Sequence, residues 1–176
     1  MTETDRVSRL TELRDAFDRT FTEAPAAAAS GAESVLAIGV AGIPYAVRLS
    51  EVSGLFAGRN VTRLPGSVPQ LLGIAGFRGE VRPVYDLAAL LGLPDSGEPR
   101  WMLTVAATPV ALAFGQFDGY LQVTSDALLT GSGDTHGGHV QELVRAADGE
   151  RPLISLAPVI GRIRRLAARD QQEQKQ

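Results

Sequence analysis

Apolar residues recur along this chain with two different periods, and the change of period divides it. In residues 4–21, TDRVSRLTELRDAFDRTF, the positions Val7, Leu10, Leu13, Phe17 and Phe21 fall at steps of three and four among charged neighbours. That spacing predicts an amphipathic helix, with Thr4 or Asp5 able to cap its start. Such a stripe either docks on its own domain or awaits a partner helix. Residues 23–34, EAPAAAASGAES, carry no period and predict a small-residue linker. Beyond it the apolar runs become short. SVLAIGV and PYAVRL, split by AGI, predict a hairpin, and further strands are predicted at VTRL (61–64), LLGIAGF (71–77) and VRPVYDL (81–87). AALLGL can form a turn or two of helix before PDSGEP, a loop.

A second β set begins at Trp101. WMLTVAA and VALAFGQF are joined by a tight Thr108–Pro109 turn, and YLQVT and RPLISL follow. Strands this short and closely spaced, many apolar on both faces, point to small closed barrels rather than an open sheet. Pro158 is expected as the first residue of a last helix, VIGRIRRLAAR, with Val159, Ile160, Ile163 and Leu166 along one side. DQQEQKQ is expected as a frayed tail. The predicted organisation is a helix and linker at 1–33 and a folded domain at 34–160, with two subdomains divided near 95–100. The end of the helix and the tail then occupy 161–176.

Composition narrows the function. A chain of 176 residues, 44% hydrophobic, can build one core or two small packed subdomains. A net charge of −3 does not favour a general nucleic-acid binder. No apolar run approaches the ~18 residues that span a bilayer, and the polar start MTETDRVSRL resembles neither a signal nor a transit peptide. There is no cysteine, which removes disulfides, thiolate catalysis and sulfur-ligated metals and fits a cytoplasmic protein.

Candidate chemistry is sparse. His136 and His139 stand three apart in the glycine-rich SGDTHGGHV, with Asp134 the nearby third candidate, and a solvent loop is the expected reading rather than a metal site. Neither GxxxxGK[ST] nor GxSxG occurs, and no cofactor is expected. Asp86 and Asp118 fall in β-like surroundings, where a carboxylate pair can serve glycoside hydrolysis. Capping a turn or pairing with an arginine is the expected job for each. Arg162, Arg164, Arg165 and Arg169 suit the C-terminal end of a helix dipole without requiring RNA or an anionic membrane.

The stretch GIAGFRGEVRPVYDLAALLGL carries a family resemblance. With VTRLPGSVPQLLG and IPYAVRLSEVSGL upstream, and FDGYLQV and ERPLISLAPVI downstream, residues 34 to about 159 resemble the CheW-like family, adaptors of bacterial chemosensory arrays. The resemblance implies a mainly β fold of two intertwined five-stranded SH3-like β-barrels around a shared apolar core. It also implies a function without catalysis: binding the cytoplasmic tip of a chemoreceptor (methyl-accepting chemotaxis protein) and a CheA-type histidine kinase.

The same resemblance assigns residues. Gly73 and Arg78 match positions tied to receptor docking, and Val52 and Leu55 match positions on a turn presented to partners, the kinase included. Arg78, between Gly76 and Gly79, can leave a tight turn with its guanidinium free for acceptors on a partner. Alternatively it closes the junction of the two barrels by bonding carbonyls there. Two departures stand out: Gly54 occupies a position where the family often has an acid, and the Thr108–Pro109 turn is very short. They leave room for an accessory adaptor that binds receptor but binds the kinase poorly, or for a stand-alone interaction module.

Overall fold

The computed structural model describes residues 32–65, 68–94, 97–135, 140–146 and 149–173. The expected N-terminal helix, His136 and His139 lie outside them. The chain begins with a hairpin of β1 (Ala32–Val40) and β2 (Ile43–Arg48), followed by a 3-10 turn at Leu49–Glu51 and β3 (Val52–Ala57). A second hairpin, β4 (Leu71–Phe77) and β5 (Glu80–Asp86), leads into the short helix α1 (Leu87–Leu91). Then come β6 (Trp101–Val105), β7 (Ala111–Phe114), β8 (Gln116–Thr124), β9 (Leu128–Thr135), β10 (Val140–Ala146), β11 (Gly149–Ile154) and α2 (Leu156–Glu173).

These strands form two sheets. One has five strands in the order β3-β6-β7-β5-β4, and the other has six, in the order β8-β1-β2-β11-β10-β9. The sheets interlock because the first hairpin joins the last strands: β2 pairs in parallel with β11 through Ala46↔Leu153 and Val47↔Ile154. The expected division near 95–100 is therefore displaced. Helix α1 and strand β6 on either side of that loop serve the same sheet, and the chain changes sheet between β2 and β3 and again between β7 and β8.

Each sheet curls around its own small core. In the five-stranded sheet the two edge strands meet: Phe56 of β3 lies edge-on to Phe77 of β4, centroids 5.0 Å apart, over Ala75, Val84, Met102, Ala111 and Ala113. In the six-stranded sheet, Leu121 and Val123 of β8 and Leu128 of β9, from opposite edges, share a cluster with Val35, Ala46, Val144 and Leu153. The largest core lies between the barrels. Leu36, Ile38 and Tyr45 from one sheet and Leu103, Leu112 and Phe114 from the other pack there with both helices.

The helices close this shared core. Asp86 caps α1, its Oδ1 accepting from Ala88 N–H at 2.9 Å, and Gly92 ends it in the left-handed conformation, φ 74°. In α2, Leu156, Val159, Ile160 and Ile163 are buried as the spacing predicts. That helix starts two residues before the expected Pro158, which a first helical turn accommodates because its N–H has no intrahelical partner there. It also runs through Glu173, so residues 170–173, expected to be frayed, are helical. The four arginines consequently do not sit at its C-terminus; the last turn holds no basic residue.

Two other expectations change. VTRL contributes a single bridge, Thr62↔Ile74, rather than a strand. GSGDT, expected in a loop, is the second part of β9. The Thr108–Pro109 turn is tight as expected, with Val105 N–H donating to the Val110 carbonyl at 3.1 Å. Among the described residues no helix is long and apolar enough to cross a membrane.

Candidate partner-binding site

The turn at Arg78 follows from the register of its hairpin. Phe77 pairs with Glu80, leaving Arg78 and Gly79 as a two-residue connection with φ 49° and 88°. Two positive φ values define the type I′ turn that matches the twist of paired strands. Glycine adopts this geometry freely, whereas arginine does so at a cost of roughly 1–2 kcal/mol. Arg78 is exposed, and its Cζ stands 5.8 Å from the centroid of Phe56. Among the described residues it makes no hydrogen bond or ion pair, so the carbonyl contacts that would close the barrel junction are not its role here.

Val52 and Leu55 lie on β3, not on a turn, and both are half-buried against the shared core. Together with Arg78, Leu36, Leu49 and Tyr120 they line a groove of about 290 Å³. Leu49 is 37% and Tyr120 62% exposed, unusual values for large apolar or aromatic side chains that touch one recess. Tyr120 is held outward by an aromatic ladder: it lies edge-on to Phe117 at 5.3 Å, and Phe117 leans on Trp101 at 5.2 Å. The sequence did not single out Leu49 or Tyr120. Tyr120 follows the FDG of a quoted motif, but its exposure depends on β8 lying at a sheet edge. The exposed lining of the groove is mainly polar, with the apolar parts of Leu49 and Tyr120 beside it and a cation at its rim.

Gly54 lines this groove without a side chain. A Cβ there would fall 2.8 Å from the Phe56 ring and 3.0 Å from Thr104 Oγ1. The ring therefore occupies the volume that a side chain at 54 would take. Ser53 Oγ bonds Thr104 Oγ1 at 2.9 Å, pinning β3 to β6 next to it.

Gly73 is elsewhere on β4, and its geometry is that of a structural residue. It is buried, with φ 145°, at the register shift between Leu71 and Gly73. A Cβ would lie 2.1 Å from the carbonyl oxygen of Thr62, because Thr62 and Ile74 exchange backbone hydrogen bonds of 2.8 and 2.9 Å across it. The structure brings Arg78, Val52 and Leu55 to one groove and leaves Gly73 outside its lining.

The two carboxylates considered for catalysis are engaged separately. Asp86 caps α1. Asp118 accepts from buried Arg151 at 2.7 Å and from Gln116 at 2.6 Å. Arg48, at the end of β2, bonds Glu33 at 2.8 Å and also Glu142; burial works to lower its pKa, but the two acids outweigh that and hold it raised. Glu51, in the turn before β3, accepts from Leu156 N–H at 3.2 Å. Burial raises its pKa, against the lowering effect of that bond. A larger cleft of about 770 Å³ lies between the Ala41–Gly42 turn and the Glu98–Trp101 segment, but its lining includes Gly39, Gly42 and Gly115 and acids as well as Arg100.

Comparisons with known proteins agree on this architecture. Residues 34–160 match the family model described as CheW-like domain. Chemotaxis protein CheW of Bacillus subtilis (strain 168) is 35% identical over 63 residues, which cover 36% of this chain and 40% of that protein. The match thus spans less than half the length of that relative. Scaffolding protein TtCheW from Thermoanaerobacter tengcongensis superposes with a TM-score of 0.65 at 16% identity, over 72% of this chain and 91% of that one, a likeness of fold.

Proposed function

The chain belongs to the CheW-like family, a family of chemotaxis adaptors, and on that premise we propose that it acts without catalysis to couple a chemoreceptor's cytoplasmic tip to a CheA-type histidine kinase. The observation that carries this reading is the groove between β3, the Arg78 turn and β8, where exposed Leu49 and Tyr120 stand with half-buried Val52 and Leu55 beside a guanidinium that has no ion pair among the described residues. An amphipathic receptor helix is the partner such a surface fits: its apolar side chains meet Leu49 and Tyr120 and its acceptors meet Arg78. Gly73 serves this site indirectly, by letting Thr62 cross β4 and so fixing the hairpin that ends in Arg78. Val52 and Leu55, proposed for the kinase, share the groove with Arg78, so kinase and receptor meet on adjoining surfaces, β3 and the β4–β5 turn. The protein works in the cytoplasm at receptor arrays.

A second reading has its own observation. With Phe56 filling the space at Gly54, β3 presents no acid there, and an adaptor that holds receptor but binds the kinase weakly follows. Co-sedimentation of the purified chain with a receptor cytoplasmic fragment, with and without the kinase, separates the two. Retention of both partners supports the coupling role; retention of receptor alone supports the accessory role. A folded Arg78→Glu variant that still sediments fully with receptor would remove Arg78 from the site.

A further inference from the structure

Arg78 is not the only cation on Phe56. Arg59, from the loop after β3, places its Cζ 5.3 Å from the centroid of the same ring. Both arginines are exposed, and among the described residues neither forms an ion pair or hydrogen bond. The neighbouring Arg82 behaves differently: it is neutralised by Glu80, Nη2 to Oε2 at 2.8 Å. Glu80 is thereby engaged by Arg82 rather than by either arginine on the ring. Stacking on an aromatic face orients a guanidinium plane while leaving its edge N–H groups for a carboxylate. The ring itself is fixed, edge-on to Phe77 and seated in the space beside Gly54.

We infer that Arg59 and Arg78, stacked on Phe56, form a two-cation clasp that binds a receptor helix through two carboxylates one or two turns apart. This deepens the receptor reading above and rests on it. Carboxylates spaced one or two helical turns lie ~5.4 or ~11 Å apart, within reach of two long side chains whose Cζ atoms lie 5.3 and 5.8 Å from one ring centroid. Leu49 and Tyr120, exposed in the groove that Arg78 also lines, meet the same helix's apolar stripe, so the partner is an acidic amphipathic helix rather than a basic one.

The test uses the whole chain and a purified receptor cytoplasmic fragment, with association and dissociation rates measured across a salt series. Because both cations sit at an exposed rim, reversing Arg59 to glutamate should slow association about tenfold at low salt and flatten its salt dependence. Arg59→Ala should lose several-fold, and Arg59→Lys, which keeps the charge, should recover most of it. Circular dichroism of each variant checks the fold. If Arg59→Glu binds within twofold of the parent while Arg78→Glu is weakened, the clasp is wrong and the receptor reading stands. If neither reversal changes binding by a parent chain that does bind, both the clasp and the role of Arg78 fall. A receptor fragment that binds only after its acidic residues are replaced by lysine would also overturn the proposal.

Discussion

Two hairpins in this molecule share a design and differ in what they do with it. β1–β2 turns at Ala41–Gly42, with φ 51° and 75°, and β4–β5 turns at Arg78–Gly79, with φ 49° and 88°. Each second strand carries a proline, Pro44 or Pro83, placed before its parallel ladder begins at Ala46 or Val84, where the missing N–H costs no parallel-ladder bond. Each hairpin leaves through an acid that caps a helix: Asp86 reaches α1 two residues on, and Glu51 reaches α2 across the domain. The first hairpin is regular from Val35↔Arg48 to Val40↔Ile43. The second is shifted in register at Gly73 and carries a long cation at its tip. The same turn is spent on packing in one barrel and on display in the other.

The largest expected effect breaks that likeness at a glycine. Gly73→Ala adds a Cβ 2.1 Å from a backbone oxygen at φ 145°, and neither the Thr62 bridge nor the left-handed conformation can yield cheaply. A loss of about 3 kcal/mol or more is expected. The counterpart in the first hairpin, Gly39→Ala, meets only Gln116 Cβ at 3.1 Å without a positive φ, and should stay within about 1 kcal/mol of the parent. Urea unfolding of both, compared at constant slope, measures the difference. Equal midpoints would show that the register shift at Gly73 carries no structural demand.

Sequence pattern located these hairpins well and their partners poorly. LLGIAGF coincides with β4 because its apolar run is bounded by turn signals at both ends, and Arg78 stood out because glycines flank it. The pairing of β2 with β11 joins residues more than a hundred positions apart, and no local period encodes that. Strand β9 was obscured by GSGDT, whose place in the sheet owes more to backbone pairing with β10 than to apolar alternation. At the site, Val52 and Leu55 came from resemblance. Arg59, Phe56 and Tyr120 were missed because their roles arise when edge strands of a curled sheet meet. A phenylalanine in VSGLFA reads as core until Phe77 is seen against it.

The turn residues themselves give a finer comparison. Relieving a left-handed non-glycine residue gains roughly 1–2 kcal/mol, and glycine's extra freedom in the unfolded chain returns about 0.5–1 kcal/mol of that. Ala41→Gly should therefore stabilise the protein by about 0.5–1 kcal/mol and leave receptor binding unchanged. Arg78→Gly has the same backbone relief but loses the contact with Phe56, worth about 0.5–1 kcal/mol at an exposed site. Its stability should change little while receptor association falls. Thermal unfolding and the binding assay, applied to both variants, read the two terms apart. If Arg78→Gly gains as much stability as Ala41→Gly, the Phe56 contact contributes nothing.

The smallest effect concerns the two capping acids. Glu51 differs from Asp86 in reaching its helix from a partly buried turn, and burial raises its pKa above the ordinary 4.5. A group whose folded pKa is raised holds its proton more tightly in the folded state. Its favourable contribution is full below 4.5, the unfolded value, and is lost as pH climbs through the folded one. Wild-type stability should accordingly carry a shallow downward component across that weakly acidic window. Glu51→Gln keeps an amide oxygen to accept from Leu156 N–H but removes the titration, so its stability curve should be flatter there and equal or slightly higher at neutral pH. Urea midpoints of both proteins from pH 4 upward give the slopes. A parent curve that instead rises more steeply than the variant's through that window would mean the Leu156 bond outweighs burial, and that the remote cap is held by its charge.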